Sequence, residues 1–140
     1  MHLQDFRQNL ERRSTAQGFT FQIGASASEG LIQLAENRLG ASFPEPVRLW
    51  YRCCYGLYID TPTLEILPLD KLQSDDSSRI VFSILDAQVA VCFDASHLNE
   101  AGEWDILNYA TGYRVTLTLA SFWSNKIWAW VEKRRPIWED

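Results

Sequence analysis

The sequence predicts an α+β domain, a helical hairpin and a C-terminal helix packed around a twisted, mainly antiparallel β-sheet. Three observations carry this expectation. Apolar residues recur at helical spacing as far as Cys54. From Leu57 to Thr118 the period shortens to that of strands, and from Ser121 helical spacing returns. Helices, then a run of strands, then a helix is the order of helices laid on one side of a sheet. No repeat, low-complexity segment or linker interrupts it, so residues 1–140 read as one domain.

The elements follow in order. Leu3, Phe6 and Leu10 share one face of a short helix over the first thirteen residues. Ser14 to Gly24 is turn-rich, with a short strand at Phe19-Thr20-Phe21. Ser26-Ala27-Ser28-Glu29 matches a capping box, in which Ser and Glu satisfy each other's orphan backbone donors. The helix it opens has Leu31, Leu34, Ala35 and Leu39 on its apolar face, with Glu36 and Arg38 off that stripe. Gly40 stands where a left-handed cap ends a helix. Pro44 fits a first helical position, and Val47, Trp50, Tyr51 and Cys54 continue the helical spacing to Gly56. The short connection makes these two helices a hairpin.

Tyr58-Ile59 and Thr63 to Leu67 read as strands. The apolar, β-branched runs Ile80–Leu85 and Val89–Phe93 form a hairpin at the sheet centre, around a tight Asp86-Ala87-Gln88 turn. Trp104–Asn108 and Tyr113–Thr118 make a further pair, with Gly112 in the turn. Ser121 caps a last helix whose stripe is Phe122, Trp123, Ile127, Trp130 and Val131. Lys133, Arg134 and Arg135 at its end offset the helix dipole, and Pro136 stops it.

Charge narrows the function classes. The formal net charge is −5. Residues 1–79 carry −2 and residues 114–140 carry +2. Residues 80–113 carry −5, from Asp86, Asp94, Glu100, Glu103 and Asp105 with no Lys or Arg. An acidic chain repels phosphate backbones, which argues against direct nucleic-acid binding and suits a basic protein partner. No apolar run is long enough to span a membrane. The start, Met1-His2-Leu3-Gln4-Asp5, lacks the apolar core of a signal peptide, so the expected compartment is the cytosol. Three cysteines, Cys53, Cys54 and Cys92, suit reduced, buried thiols rather than a disulfide framework.

The stretch from Ile32 to Leu69 resembles the SUKH superfamily, the Smi-type immunity and scaffold domains. The likeness rests on Glu36, Leu39-Gly40, Phe43-Pro44, Tyr55-Gly56 and Leu64-Glu65-Ile66-Leu67-Pro68-Leu69. The later strands and last helix follow the family's order, so the likeness covers roughly Ser26 to Val131. The family often has Asn before the glycine, and here Tyr55 stands there. The resemblance implies a sheet of about six strands with flanking helices, no catalysis and no cofactor. It also implies an immunity protein of a polymorphic toxin system that occludes a cognate toxin, often a nuclease; a non-catalytic scaffold is the alternative.

Several constellations carry competing readings. Asp75-Asp76, or Asp94 with Glu100, Glu103 and Asp105, could serve as acid and base in a hydrolase, or be a solvated acidic surface. His97 near Asp94 could share a cation, but ligands with metal spacing are lacking, and His2 is the one other histidine. Cys92 and His97 could form a nucleophile pair, or Cys92 could be a core thiol. No Gly-rich phosphate loop or nucleophile elbow is present.

The expectation is therefore no catalytic or metal site, and a contact surface of Asp94, Glu100, Glu103, Trp104 and Asp105 that meets a basic toxin. Trp104 would anchor that surface if exposed, or else pack in the core. Trp128 and Trp138 could form a second contact or dimer surface, or a tail folded back on the domain.

Overall fold

A computed structural model describes residues 3–139, and side chains from residue 5 onward. His2 and the Leu3 side chain lie outside the described residues. The expected α+β architecture is present. The order is α1 (Leu3–Gln17), β1 (Phe21–Ile23), α2 (Glu29–Leu39), α3 (Glu45–Cys53), β2 (Leu57–Asp60), β3 (Thr63–Ile66), a 3-10 turn (Leu69–Lys71), β4 (Arg79–Leu85), β5 (Val89–Asp94), β6 (Asp105–Asn108) and β7 (Arg114–Thr116). The final helix, here α4, joins an α-turn (Leu119–Ser121), a π-helical segment (Phe122–Ile127) and an α-segment (Trp128–Lys133).

The seven strands form one antiparallel sheet in sequence order, β1 to β7. β4 lies at its centre, and its hairpin with β5 is the expected one. The turn between them gives Asp86 and Ala87 positive φ values of 55° and 60°. Gln88 N donates to Leu85 O at 3.1 Å, so the two residues sit at the centre of a mirror-image turn inside a three-residue connection.

Strand alternation sets the two faces. Ile59, Leu64, Ile80, Val91, Phe93 and Ile106 point to the helices and share one core with Phe6, Val47, Trp50, Phe122 and Trp123. Phe6 packs edge-on against both Trp50 and Trp123, each at 4.9 Å, and the two indoles stack at 5.1 Å. Among the described residues the other face carries no helix; Cys92 and Leu107 lie on it as cross-strand partners, buried but outside the main core.

Several expectations need correction. α1 runs to Gln17, past the first thirteen residues, and ends at Gly18, whose N donates to Ser14 O at a φ of 79°. β1 begins at Phe21, not Phe19. The cap of α2 is Ser28, whose Oγ accepts from Leu31 N, not Ser26. The cap of α4 is Thr118, whose Oγ1 accepts from Ser121 N. Gly40 does end α2, at φ 69°.

The inward face of α2 is also rotated. Ile32, Ala35 and Glu36 are buried, while Leu31 and Leu34 are 44% and 65% exposed. Glu36, 8% exposed, accepts a hydrogen bond from Phe43 N at 2.7 Å and pairs with Arg48 of α3. Those partners offset its desolvation, and the carboxylate takes an inward place that the sequence pattern gives to a leucine. Arg38 donates to Leu69 O and Leu72 O at 2.7 and 2.6 Å, tying α2 to the 3-10 turn.

Candidate partner-binding surface

The acidic residues gather where β5 and β6 end. Asp94 and Asp105 are cross-strand partners, and Arg79 is the partner of Asp94 on its other side. Like charges set opposite each other destabilise a sheet unless other groups hold them. Here they are held. Asp94 accepts from Ser96 N at 3.1 Å and Ser96 Oγ at 2.6 Å. Asp105 accepts from Asn99 Nδ2 at 3.0 Å. Asn99 also donates to Leu117 O, and its Oδ1 accepts from Ala101 N and Glu103 N. One side chain thus shapes the whole loop between β5 and β6.

The five expected contact residues separate on this geometry. Glu100 is exposed on the loop. Asp94 and Asp105 are half-buried. Glu103 turns inward and accepts from Leu119 N at 3.1 Å, holding the start of α4. Burial pushes its carboxyl up, with the Leu119 N–H opposing that shift. Trp104 is 4% exposed, edge-on to Phe43 at 5.8 Å and tilted against Phe93 at 5.7 Å. It is a core side chain and not an exposed anchor, because, just before β6, it falls on the same helix-bearing face as Ile106.

A second acidic segment joins this end of the sheet. Ala95 N donates to Ser78 O at 2.9 Å, which brings the loop holding Asp75 and Asp76 beside Asp94. Asp75 accepts from Ser77 N, Arg79 N and the Tyr109 hydroxyl, at 2.8, 2.9 and 2.9 Å. The Arg79 N–H, and then the Tyr109 hydroxyl, hold its carboxyl below the usual range. Asp76 stays exposed. Sequence reasoning passed over Arg79 and Tyr109. The register made them findable, since Arg79 opens β4 opposite Asp94 and Tyr109 follows β6 beside Ala90.

Among the described residues, clefts open beside Tyr109 and beside Tyr58 on the helix-free face. One of about 370 Å³ is lined by Leu67, Lys71, Asp75, Arg79, Val81 and Tyr109, among others. The other, about 300 Å³, includes Gln22, Tyr58, Glu65 and Pro68.

Of the catalytic constellations, Asp94 and Asp105 lie side by side across β5 and β6. Among the described residues no three His, Cys, Asp or Glu side chains are placed to hold a metal. His97 Nδ1 lies 4.0 Å from Asp94 Oδ2, a single pair. Cys92 is buried and burial pushes its thiol up to about 11, which leaves it a poor nucleophile. Asp75 accepts from three donors, two in its own loop and β4 start and one from Tyr109 beyond β6.

The aromatic tail is folded back. Asn108 Nδ2 donates to Trp138 O at 3.0 Å, and the Trp138 ring meets Trp130 edge-on at 5.6 Å. Trp128 is buried, with Arg13 stacked 4.5 Å over its ring. Among the described residues no helix is long and apolar enough to cross a membrane. The chain matches no protein-family model and no curated protein.

Proposed function

We propose that this chain is a SUKH-type immunity protein that binds one basic toxin and blocks its active cleft by occupying it, without catalysis of its own. The observation that carries this reading is the gathering of acidic groups at one end of the sheet. Residues 80–113 hold the equivalent of the whole net charge of −5. The fold adds Asp75 and Asp76 to Asp94, Glu100 and Asp105 there. A carboxylate surface of this kind competes with a nucleic acid for a nuclease cleft and speeds encounter by electrostatic steering. The same reading places the chain in the cytosol, where it would meet a toxin that enters or is made there.

The test uses the full chain as bait, with the product of its flanking gene expressed alongside at physiological salt. A single basic protein recovered in one-to-one ratio supports the reading. Recovery of housekeeping proteins alone would replace it with the scaffold reading. With the partner in hand, Asp76→Lys combined with Glu100→Lys changes two exposed acids that hold no fold contact. The expected result is a roughly tenfold slower association at low salt, fading as salt rises. An unchanged on-rate would remove the acidic end from the interface.

A further inference from the structure

We infer that the basic partner docks on the helix-free face of the sheet, with Tyr58 and Tyr109 as its anchors; this rests on the reading that the partner is basic, and it names the surface. The register draws a single line across that face. Gln22, Tyr58, Glu65, Ile84 and Ala90 are successive cross-strand partners, and Tyr109 N donates to Ala90 O at the far end. The line crosses six strands, roughly 24 Å at about 4.8 Å per strand, which is the width of an ordinary protein–protein patch.

Its composition is that of an interface. Tyr58 is 41% exposed and Tyr109 is also exposed, while Ile84 and Ala90 between them are half-buried. Exposed tyrosines around an aliphatic centre make strong anchors, since a rigid ring buries much area for little lost freedom. The two clefts described above flank this line, one beside Tyr58 and one beside Tyr109.

Charge selects the occupant. On this face the strands turn Asp60, Glu65, Asp94 and Asp105 outward, against Arg79 and Arg114, and Lys71 adds a third cation in the cleft beside Tyr109. Asp75 overhangs one end, bonded to Tyr109. Apolar anchors with a net acidic border fit a protein surface rich in Lys and Arg, whose cations also stack on tyrosine rings. The exposed Leu31 and Leu34 of α2 form a separate patch, where the nearby Glu29 is already paired with Arg48 and Arg52.

The test needs no partner. The isotope-labelled full chain is titrated with benzamidine, an aromatic cation, and with neutral benzamide, and backbone amide shifts are mapped by NMR. Benzamidine is expected to move Tyr58, Glu65, Ile84, Ala90 and Tyr109 most, and benzamide less. Tyr58→Ala, at an exposed site, and Ile84→Lys are each expected to weaken that binding about fivefold, the equivalent of about 1 kcal/mol. Shifts centred on Leu31 and Leu34, shifts scattered over the surface, or binding unchanged in both variants would overturn the proposal. Failure to capture a basic partner would sink the immunity reading and leave this map standing as a separate result.

Discussion

Trp128 lies against Trp123, ring centroids 5.6 Å apart, because the backbone between them is π-helical and the Trp128 N–H donates to Trp123 O five residues back. In an α-helix the neighbours on one face are three or four apart, which leaves Trp128 off the apolar stripe. The wider turn brings it in and lets Arg13 stack over it. Trp128→Ala is therefore expected to cost about 3–5 kcal/mol, as for a core tryptophan. Urea denaturation checks this; a loss within about 0.5 kcal/mol, the surface value, would contradict the packing.

Glu36 holds α2 to α3 by accepting from Phe43 N and pairing with Arg48. Glu36→Ala strands a buried N–H and weakens the hold on Arg48, which keeps its pairing with Glu29. The expected loss is about 2–3 kcal/mol. Leu34→Ala, by contrast, is expected to change stability by less than about 0.5 kcal/mol, since the side chain already faces water. Equal losses at the two positions would restore the leucine face that the sequence pattern suggests.

Ala87 holds a φ of 60° in the β4–β5 turn. An L-residue with a Cβ pays about 1 kcal/mol for that region, and glycine does not. Ala87→Gly is expected to raise the urea midpoint by the equivalent of about 0.5 kcal/mol, since the extra freedom glycine gives the unfolded chain offsets part of that relief. A lowered midpoint would mean that the turn is not of this mirror-image kind.

Fold class and the central hairpin were legible because each rests on a local period and a turn signal. Val81-Phe82 and Val91-Cys92-Phe93 alternate or run apolar as buried strands do. The stripe of α2 was misread because burial of Glu36 depends on Arg48, twelve residues away, which no local pattern carries. Trp128 was missed because periodicity assumes an α-helix. At the acidic end, the sequence located the charge but not its use. Glu103 and Asp105 turn to Leu119 N and Asn99, and both contacts exist only after the β5–β6 loop closes. The joining of Asp75 to that end came from a backbone bond between Ala95 and Ser78, invisible to composition.

The three thiols are buried, and burial pushes each of them up, Cys92 to about 11. At pH 7 all are protonated and shielded. In the native protein a disulfide reagent such as DTNB is expected to titrate none of them within minutes, and all three in denaturant. A fast-reacting thiol in the folded state would revive a reactive-cysteine role.

The bond from Tyr109 to Asp75 gives the surface loop a pH dependence with a definite sign. Asp75 has a folded pKa below its ordinary 3.8, so its contribution is present above pH 3.8 and is lost as pH falls through the lowered value. Tyr109 is raised above its ordinary 10.0 by the same hydrogen bond, so its contribution is present below pH 10 and is lost as pH rises through the raised value. Tyr109→Phe removes the hydroxyl donor but keeps the ring and the Arg79 N–H, the larger cause at Asp75. A carboxyl NMR titration is expected to show Asp75 moving only part of the way back to 3.8 in that variant. A full return would make Tyr109 the main support of the loop, and no movement would mean that the hydroxyl lies free in solution, ready to meet a partner directly.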